Sequence, residues 1–285
     1  MSNMLKPIVV TAAVVVAVFT AAAAPPVFSV SPRRASVAAA APAVVPVRIT
    51  LTAPGSSPVR NAALDVAVVG TDGGATRSQL GNSDHLVAVF GGSAVDAATA
   101  LLGLLRVPEQ SDRVKLLLVF PGGRGMNDDE ISRLAAAAAR GGVRMAVIDE
   151  GGGALSQLEA ELTAARLPTV RMARVRVVTP AGVDRNFSGS APVVWQDKFE
   201  LLMLCPVLGA GERIEARLEL TLPPVSAGQT REIGIIELEY QDAVSGEIRQ
   251  EKIPLTAEFL TTVDVGRSGN ERQTVEKRSM ISDEK

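Results

Sequence analysis

Between Leu64 and Pro168 the apolar positions fall into short unbroken runs, separated by glycine turns and amphipathic stretches. The runs at 64–69, 86–90, 116–120 and 143–148 carry almost no polar residue, the pattern of strands buried on both faces. The stretches at 95–105, 128–140 and 154–165 repeat their apolar residues at helical spacing. The helix predicted over 128–140 opens on Asp128, Asp129 and Glu130 and closes on Arg140, a polarity that suits the helix dipole. Gly141-Gly142 stops it, and Gly151-Gly152-Gly153 leads into the next helix. Strands alternating with helices in this way predict an α/β fold, a mostly parallel sheet with helices on both faces.

Beyond Pro168 the period changes to two. Segments 170–178, 199–204, 214–222, 232–240 and 248–259 read as strands joined by turns such as Pro223-Pro224 and Ser245-Gly246. Arg213, Glu215, Arg217 and Glu219 alternate with Ile214, Ala216, Leu218 and Leu220, which predicts an antiparallel strand with one wet face. Residues 169–262 therefore read as a β-sandwich-like C-terminal module, and the charged stretch 263–285 as a disordered tail.

Upstream the pattern is poorer. Lys6 precedes a chargeless stretch from Pro7 to Pro32 whose centre, 8–24, is almost wholly Val and Ala. That fits a secretory signal or a membrane anchor, and equally a Val/Ala-rich strand of a cytoplasmic protein. Residues 24–46 are rich in Ala, Pro, Ser and Val and read as a linker, while 47–52 alternates as a strand. The expected organisation is an N-terminal segment and linker over 1–46, an α/β domain over 47–168, the β module, and the tail.

Composition narrows the chemistry. Of 285 residues, 47% are hydrophobic and 21% charged, enough to build a core. A net charge of −2 gives no global attraction to nucleic acid. One cysteine, Cys205, excludes an intrachain disulfide, and one histidine, His85, excludes a two-histidine metal site. Cys205 reads as a small buried hydrophobe, and Trp195 as an anchor where the two modules join. Asp128-Asp129-Glu130 reads as a helix start, with Asn127 or Asp128 as cap, and Asp149-Glu150 as a solvated loop pair. The glycine turns Phe90-Gly91-Gly92-Ser93 and Phe120-Pro121-Gly122-Gly123-Arg124-Gly125 match no dinucleotide fingerprint or phosphate loop.

Several segments, taken in order, resemble the von Willebrand factor A domain, plant members in particular. Leu64-Asp65-Val66-Ala67-Val68-Val69 followed by Gly70-Thr71-Asp72-Gly73-Gly74 resembles the first strand and its Asp-x-Ser-x-Ser loop. Asp84-His85-Leu86-Val87-Ala88-Val89-Phe90 is similar to the next strand, and Gly91-Gly92-Ser93 to the Gly-Gly-Thr segment. Residues 116–123 and 143–149 resemble the two strands after it. Gly209-Ala210-Gly211-Glu212-Arg213 and Tyr240-Gln241-Asp242 resemble the glycine–glutamate turn and closing Tyr-x-Asp of the following β module.

The resemblance implies a protein-binding module whose metal-ion-dependent adhesion site is degenerate. Gly70 stands for the first Asp, Asp72 and Gly74 for the two serines, Ser93 for the Thr, and Pro121 for the third-loop Asp. Mg²⁺ takes about six oxygen ligands, and only Asp72 and Ser93 remain as candidates, so no cofactor is expected beyond weak Mg²⁺. The chain is also short. A full helix is expected missing after Gly74, and a strand with its helix between Phe90 and Gly91. A crossover between parallel strands needs a dozen or more residues, so the first two strands are not expected to pair in the usual parallel way.

The reading is a partial von Willebrand A-like domain followed by a β module, acting without catalysis as a protein–protein interaction module. Its binding face would be the carboxyl ends of the strands, with Thr71, Asp72, Ser93 and Arg124 on it. The expected partner is a protein, not nucleic acid, with membrane contact only if the N-terminal segment inserts. Two other readings stay open: a nucleotide- or small-molecule-binding enzyme using the glycine turns, and a non-functional family remnant.

Overall fold

The computed structural model describes residues 24–56, 61–71, 73–108, 113–122, 126–149, 151–189, 192–243 and 245–261. The apolar segment at 8–24 lies outside them apart from Ala24, as does the charged tail from 262. Three strands come first: β1 (Val27–Ser31), β2 (Arg34–Ala38) and β3 (Ala43–Thr52). The α/β block follows as β4 (Leu64–Val69), α1 (Gly74–Gln79), β5 (His85–Phe90), α2 (Ala94–Arg106), β6 (Val114–Val119), α3 (Asp128–Arg140), β7 (Arg144–Val147) and α4 (Ala154–Arg166). The chain then runs through β8 (Pro168–Val178), β9 (Asp184–Gly189), β10 (Val193–Gln196), β11 (Glu200–Gly209), β12 (Arg213–Leu222), β13 (Gln229–Asp242) and β14 (Ile248–Leu260).

The α/β block forms a four-stranded sheet in the order β5-β4-β6-β7, with every pair parallel. β4 is central and every residue of it is buried, as its unbroken apolar run requires. Its alternate side chains serve two layers. Leu64, Val66 and Val68 pack with Leu158, Leu162 and Ala165 of α4. Ala67 and Val69 pack with Ala97, Leu101 and Leu104 of α2 and Leu134 and Ala138 of α3. The helix starts are encoded locally. Asn127 and Glu130 form a reciprocal capping box at α3, and Ser93 caps α2 by accepting from the Asp96 amide at 3.1 Å.

The parallel pairing of β4 with β5 corrects the expectation that shortening would prevent it. The connection from Gly70 to Asp84 holds the short helix α1, which is enough chain to carry the crossover. β5 is thereby left at the sheet edge, and its residues from Leu86 to Phe90 are half-buried.

The linker expected over 24–46 is also corrected. β1 pairs antiparallel with β3, β3 pairs with β12, and β2 adds to β14 in parallel. The N-terminal strands thus belong to the same sandwich as the C-terminal ones. One sheet runs β1-β3-β12-β9 and the other β10-β11-β8-β13-β14-β2. Phe28 and Val30 of β1 and Val45, Val47, Ile49 and Leu51 of β3 point into a core shared with Leu218, Leu220, Ile236, Leu238, Leu255 and Phe259. Pro46 is tolerated because β3 there has β12 on one side and β1 reaches only as far as Arg48. The α/β block is therefore an insertion between β3 and β8. The wet face expected of β12 is present: Arg213, Arg217 and Glu219 are exposed, while Ala216, Leu218 and Leu220 are buried.

Candidate functional site

The two ends of the parallel sheet differ in kind. At the carboxyl end, β4, β5 and β6 are drawn together by backbone. The Gly70 amide donates to the Phe90 carbonyl at 2.9 Å, and the Phe120 amide to the Val69 carbonyl at 2.9 Å. Gly70 has φ +94°, and a Cβ there would stand 1.8 Å from the Phe120 carbonyl oxygen. No L side chain fits at that position without moving β6. The sequence reading put the first adhesion-site aspartate at this same point.

Of the four predicted face residues, Ser93 is exposed at the same edge, but its hydroxyl is engaged. It accepts from the Asp96 amide and donates to the Asp96 carboxylate at 2.8 Å. Thr71 follows Gly70 at the mouth of the first loop and is half-buried. Asp72 and Arg124 lie outside the described residues, so their positions at this edge rest on the sequence. Pro121 follows β6 by one residue, Phe120, and offers no side-chain oxygen. The edge as described therefore supplies two hydroxyls, Thr71 and Ser93, of which Ser93 is already used as a helix cap. Among the described residues no group of three or more His, Cys, Asp or Glu side chains is arranged to hold a metal ion.

At the amino end the sheet carries charge that sequence reasoning did not single out. Asp65, 1% exposed, takes two hydrogen bonds from Arg113 at 2.5 and 2.9 Å. His85 Nδ1 lies 3.3 Å from the same carboxylate oxygen. Asp84 receives Arg166 at 2.7 Å and the amides of Leu64 and Gly81. Burial pushes the Asp84 carboxyl up, but the Arg166 guanidinium and the two amides more than offset this and hold it below the usual range. Lys115 donates to the Val107 carbonyl at the end of α2, where the helix dipole favours a cation.

A third cluster reaches the sandwich. Arg144, at the start of β7, donates to Glu212 at 2.5 and 2.7 Å, to Glu161 of α4 at 2.6 Å and to the Val207 carbonyl at 3.1 Å. Burial pulls the guanidinium pKa down, yet the two carboxylates leave it raised, so the cluster stays charged. Glu212 also accepts from the Gly209 amide, and Gly209 lies so close to α4 that a Cβ would meet the Ala164 carbonyl oxygen at 2.5 Å. The glycine–glutamate turn noted in the sequence is thus the turn that locks the two domains. Its signal was a charge, Arg144, set among Val143, Met145, Ala146 and Val147.

Two further expectations meet the structure here. Trp195 does not anchor the junction: it is 56% exposed, and β10 touches the α/β domain through its backbone, where the Val194 carbonyl accepts from Arg140 at 3.0 Å. Cys205 lines the junction cleft with Arg144, Glu161 and Glu212, and desolvation pushes its thiol up to about 12, which suits a packing residue and not a nucleophile.

In sequence the chain matches no protein-family model and no curated protein. In structure it is similar to a von Willebrand factor type A protein from Catenulispora acidiphila, at TM-score 0.52 and 12% identity over 86% of this chain and 76% of that one. A looser likeness, TM-score 0.47 at 10% identity, is to the ArnB paralog VWA2 from Sulfolobus acidocaldarius, over 86% of this chain and 78% of that one. The fold is therefore von Willebrand A-like, a parallel sheet with flanking helices joined to a β module.

Proposed function

We propose that the protein is a non-catalytic interaction module that binds a protein partner, without a metal ion, through the carboxyl-end edge of its parallel sheet. The observation that supports this most is the close approach of Gly70 to the Phe120 carbonyl, at the place where a metal-binding side chain would have to stand. With Ser93 committed to the α2 cap, Thr71 is the other described hydroxyl at this edge, and two hydroxyls fall short of the about six oxygens that magnesium takes. What this edge does present is exposed backbone and small residues at Gly91, Ser93 and the first turn of α2, with Val95 75% exposed. Open parallel sheets place their ligand-contacting loops at this end.

The test has two arms on the full chain, since β1 and β2 are part of the fold. In the first, Mg²⁺ and Mn²⁺ are titrated calorimetrically, with Asp72→Ala as control. No saturable heat is expected. A dissociation constant tighter than about 1 mM, worth roughly 4 kcal/mol, that is lost in the control would overturn the metal-free reading. In the second, cross-linking in a lysate of the source cells is mapped by mass spectrometry. Cross-links to other proteins are expected in loops 71–76, 91–95 and 121–127. Saturable micromolar binding of a nucleotide without such cross-links would replace the reading with that of a nucleotide-binding enzyme.

A further inference from the structure

α2 is apolar on two opposite faces. Its inner face, Ala97, Ala100, Leu101 and Leu104, is buried against the sheet. Its outer face carries Val95, Ala98, Leu102 and Leu105 at alternating spacings of three and four, and Val95, Leu102 and Leu105 are 75%, 55% and 38% exposed. Thr99, between them, turns its hydroxyl back to the Val95 carbonyl at 2.9 Å, which leaves its methyl outward. A surface helix of ordinary pattern is polar on the face away from the core. This one has the three-four spacing of a helix–helix seam.

The charges on this helix are Asp96 near its start and Arg106 at its end. Asp96 is oriented by the Ser93 hydroxyl, and Arg106 has no carboxylate partner among the described residues. Two copies of α2 packed parallel would set like charges level with each other. Packed antiparallel about a two-fold axis, Asp96 comes level with Arg106 of the partner subunit, and the pair is repeated by symmetry. The same register sets Thr99 level with Gly103 of the partner subunit and Leu102 level with Ala100 of the partner subunit. Gly103 has open space around it, so the exposed Thr99 of the partner subunit meets no side chain there.

We infer that the outer face of α2 is the contact surface of a symmetric homodimer, in which two α2 helices pack antiparallel with Leu102 at the seam and Asp96–Arg106 pairs at each end. The occupant is a second copy because the patch is complementary to itself in charge, Asp96 near one end and Arg106 at the other. The face shares Val95 with the sheet edge, but the inference rests on the spacing and charges of α2 and not on what that edge binds. A single helix pair lies below about 1,200 Å² of total buried area, so the dimer is weak, dissociating at about 10–100 µM.

Sedimentation velocity of the full chain over about 1 to 500 µM tests this. The chain is expected to move from monomer to dimer across the range. Leu102→Glu, at an exposed position, is expected to stay monomeric throughout with unchanged helix content. Asp96→Arg and Arg106→Asp alone each set like charges together and are expected to weaken the dimer at least about five-fold, while an equimolar mixture of the two recovers it as a heterodimer. A chain that stays monomeric at the top of the range would overturn the inference. So would a dimer that survives Leu102→Glu, or a mixture of the charge variants no tighter than either alone.

Discussion

The two ends of one four-stranded parallel sheet solve different problems. At the amino end the strands begin on charge: Asp65 with Arg113 and His85, Asp84 with Arg166, and Arg144 with Glu161 and Glu212. This is also where the inserted block joins the sandwich, through Arg144 to Glu212, and where the Ala62 amide ties the chain entering the block to the Arg166 carbonyl at its exit. At the carboxyl end there is no comparable cluster among the described residues. Backbone bonds at Gly70, Phe90 and Phe120 hold the strands. The difference teaches that in this fold buried charge fixes the junction of the two domains, and the free end is left to glycine, a capping serine and exposed apolar side chains.

The largest blow to this contrast should come from Asp65→Ala. It removes the buried carboxylate from the Arg113 guanidinium at the amino end, and deleting one partner of a buried ion pair costs about 3–5 kcal/mol. Urea unfolding measures this, and a loss under about 1 kcal/mol would show the cluster to be decorative. Gly70→Ala attacks the other end by sterics alone. Positive φ and collision with the Phe120 carbonyl should cost about 3 kcal/mol. Gly70→Asp should fare no better and gain no Mg²⁺ affinity by calorimetry, since β6 would have to move to admit it.

Asp84→Asn should cost about 2 kcal/mol at neutral pH by leaving Arg166 without its anion. The sign with pH follows from the lowered Asp84 carboxyl. Its contribution is complete above the unfolded value, near pH 4, and is lost as pH falls through the lower folded value. The gap between the parent and the variant should therefore be constant near neutrality and close below about pH 4. A gap that widened with acid would contradict the assignment. The smallest effect is expected for Ser93→Ala, which removes the α2 cap at a cost of about 1 kcal/mol. Ser93→Asp should restore that stability in thermal melts, as a cap would and a hydroxyl ligand would not.

Much of the fold was legible in the sequence. The unbroken runs at β4 and β6 and the helical spacing of α2, α3 and α4 gave elements within a residue or two of those observed. The alternation of Arg213 to Leu220 gave the wet and dry faces of β12. β1, β2 and the first residues of β3 were misread as a linker because Ala and Pro dominate composition there, while 47–52 was read as a strand. The period-two signal of Val27-Phe28-Ser29-Val30-Ser31 is short and weak by itself, and β1 is stabilised by pairing with β3 and by burying Phe28 and Val30 in the shared core. The binding-edge residues were legible as types. Gly70, Ser93 and Pro121 could be seen to supply little or no ligand oxygen, but not that Gly70 is closed to any side chain.

The sequence by itself determined the local choices: which runs are strands, where helices start on Ser93 and Asn127, and which residue types stand at the sheet's carboxyl end. These follow from nearest neighbours along the chain, whose backbone and capping preferences act over a few residues. Only the tertiary structure decided that β1 to β3 complete a sandwich closed by β8 to β14, that Arg144 reaches Glu212, and that Phe120 lies against Gly70. Each of these is a contact between segments far apart in the chain. Its partner is selected by packing density and by the need to pair every buried charge, which no local pattern records.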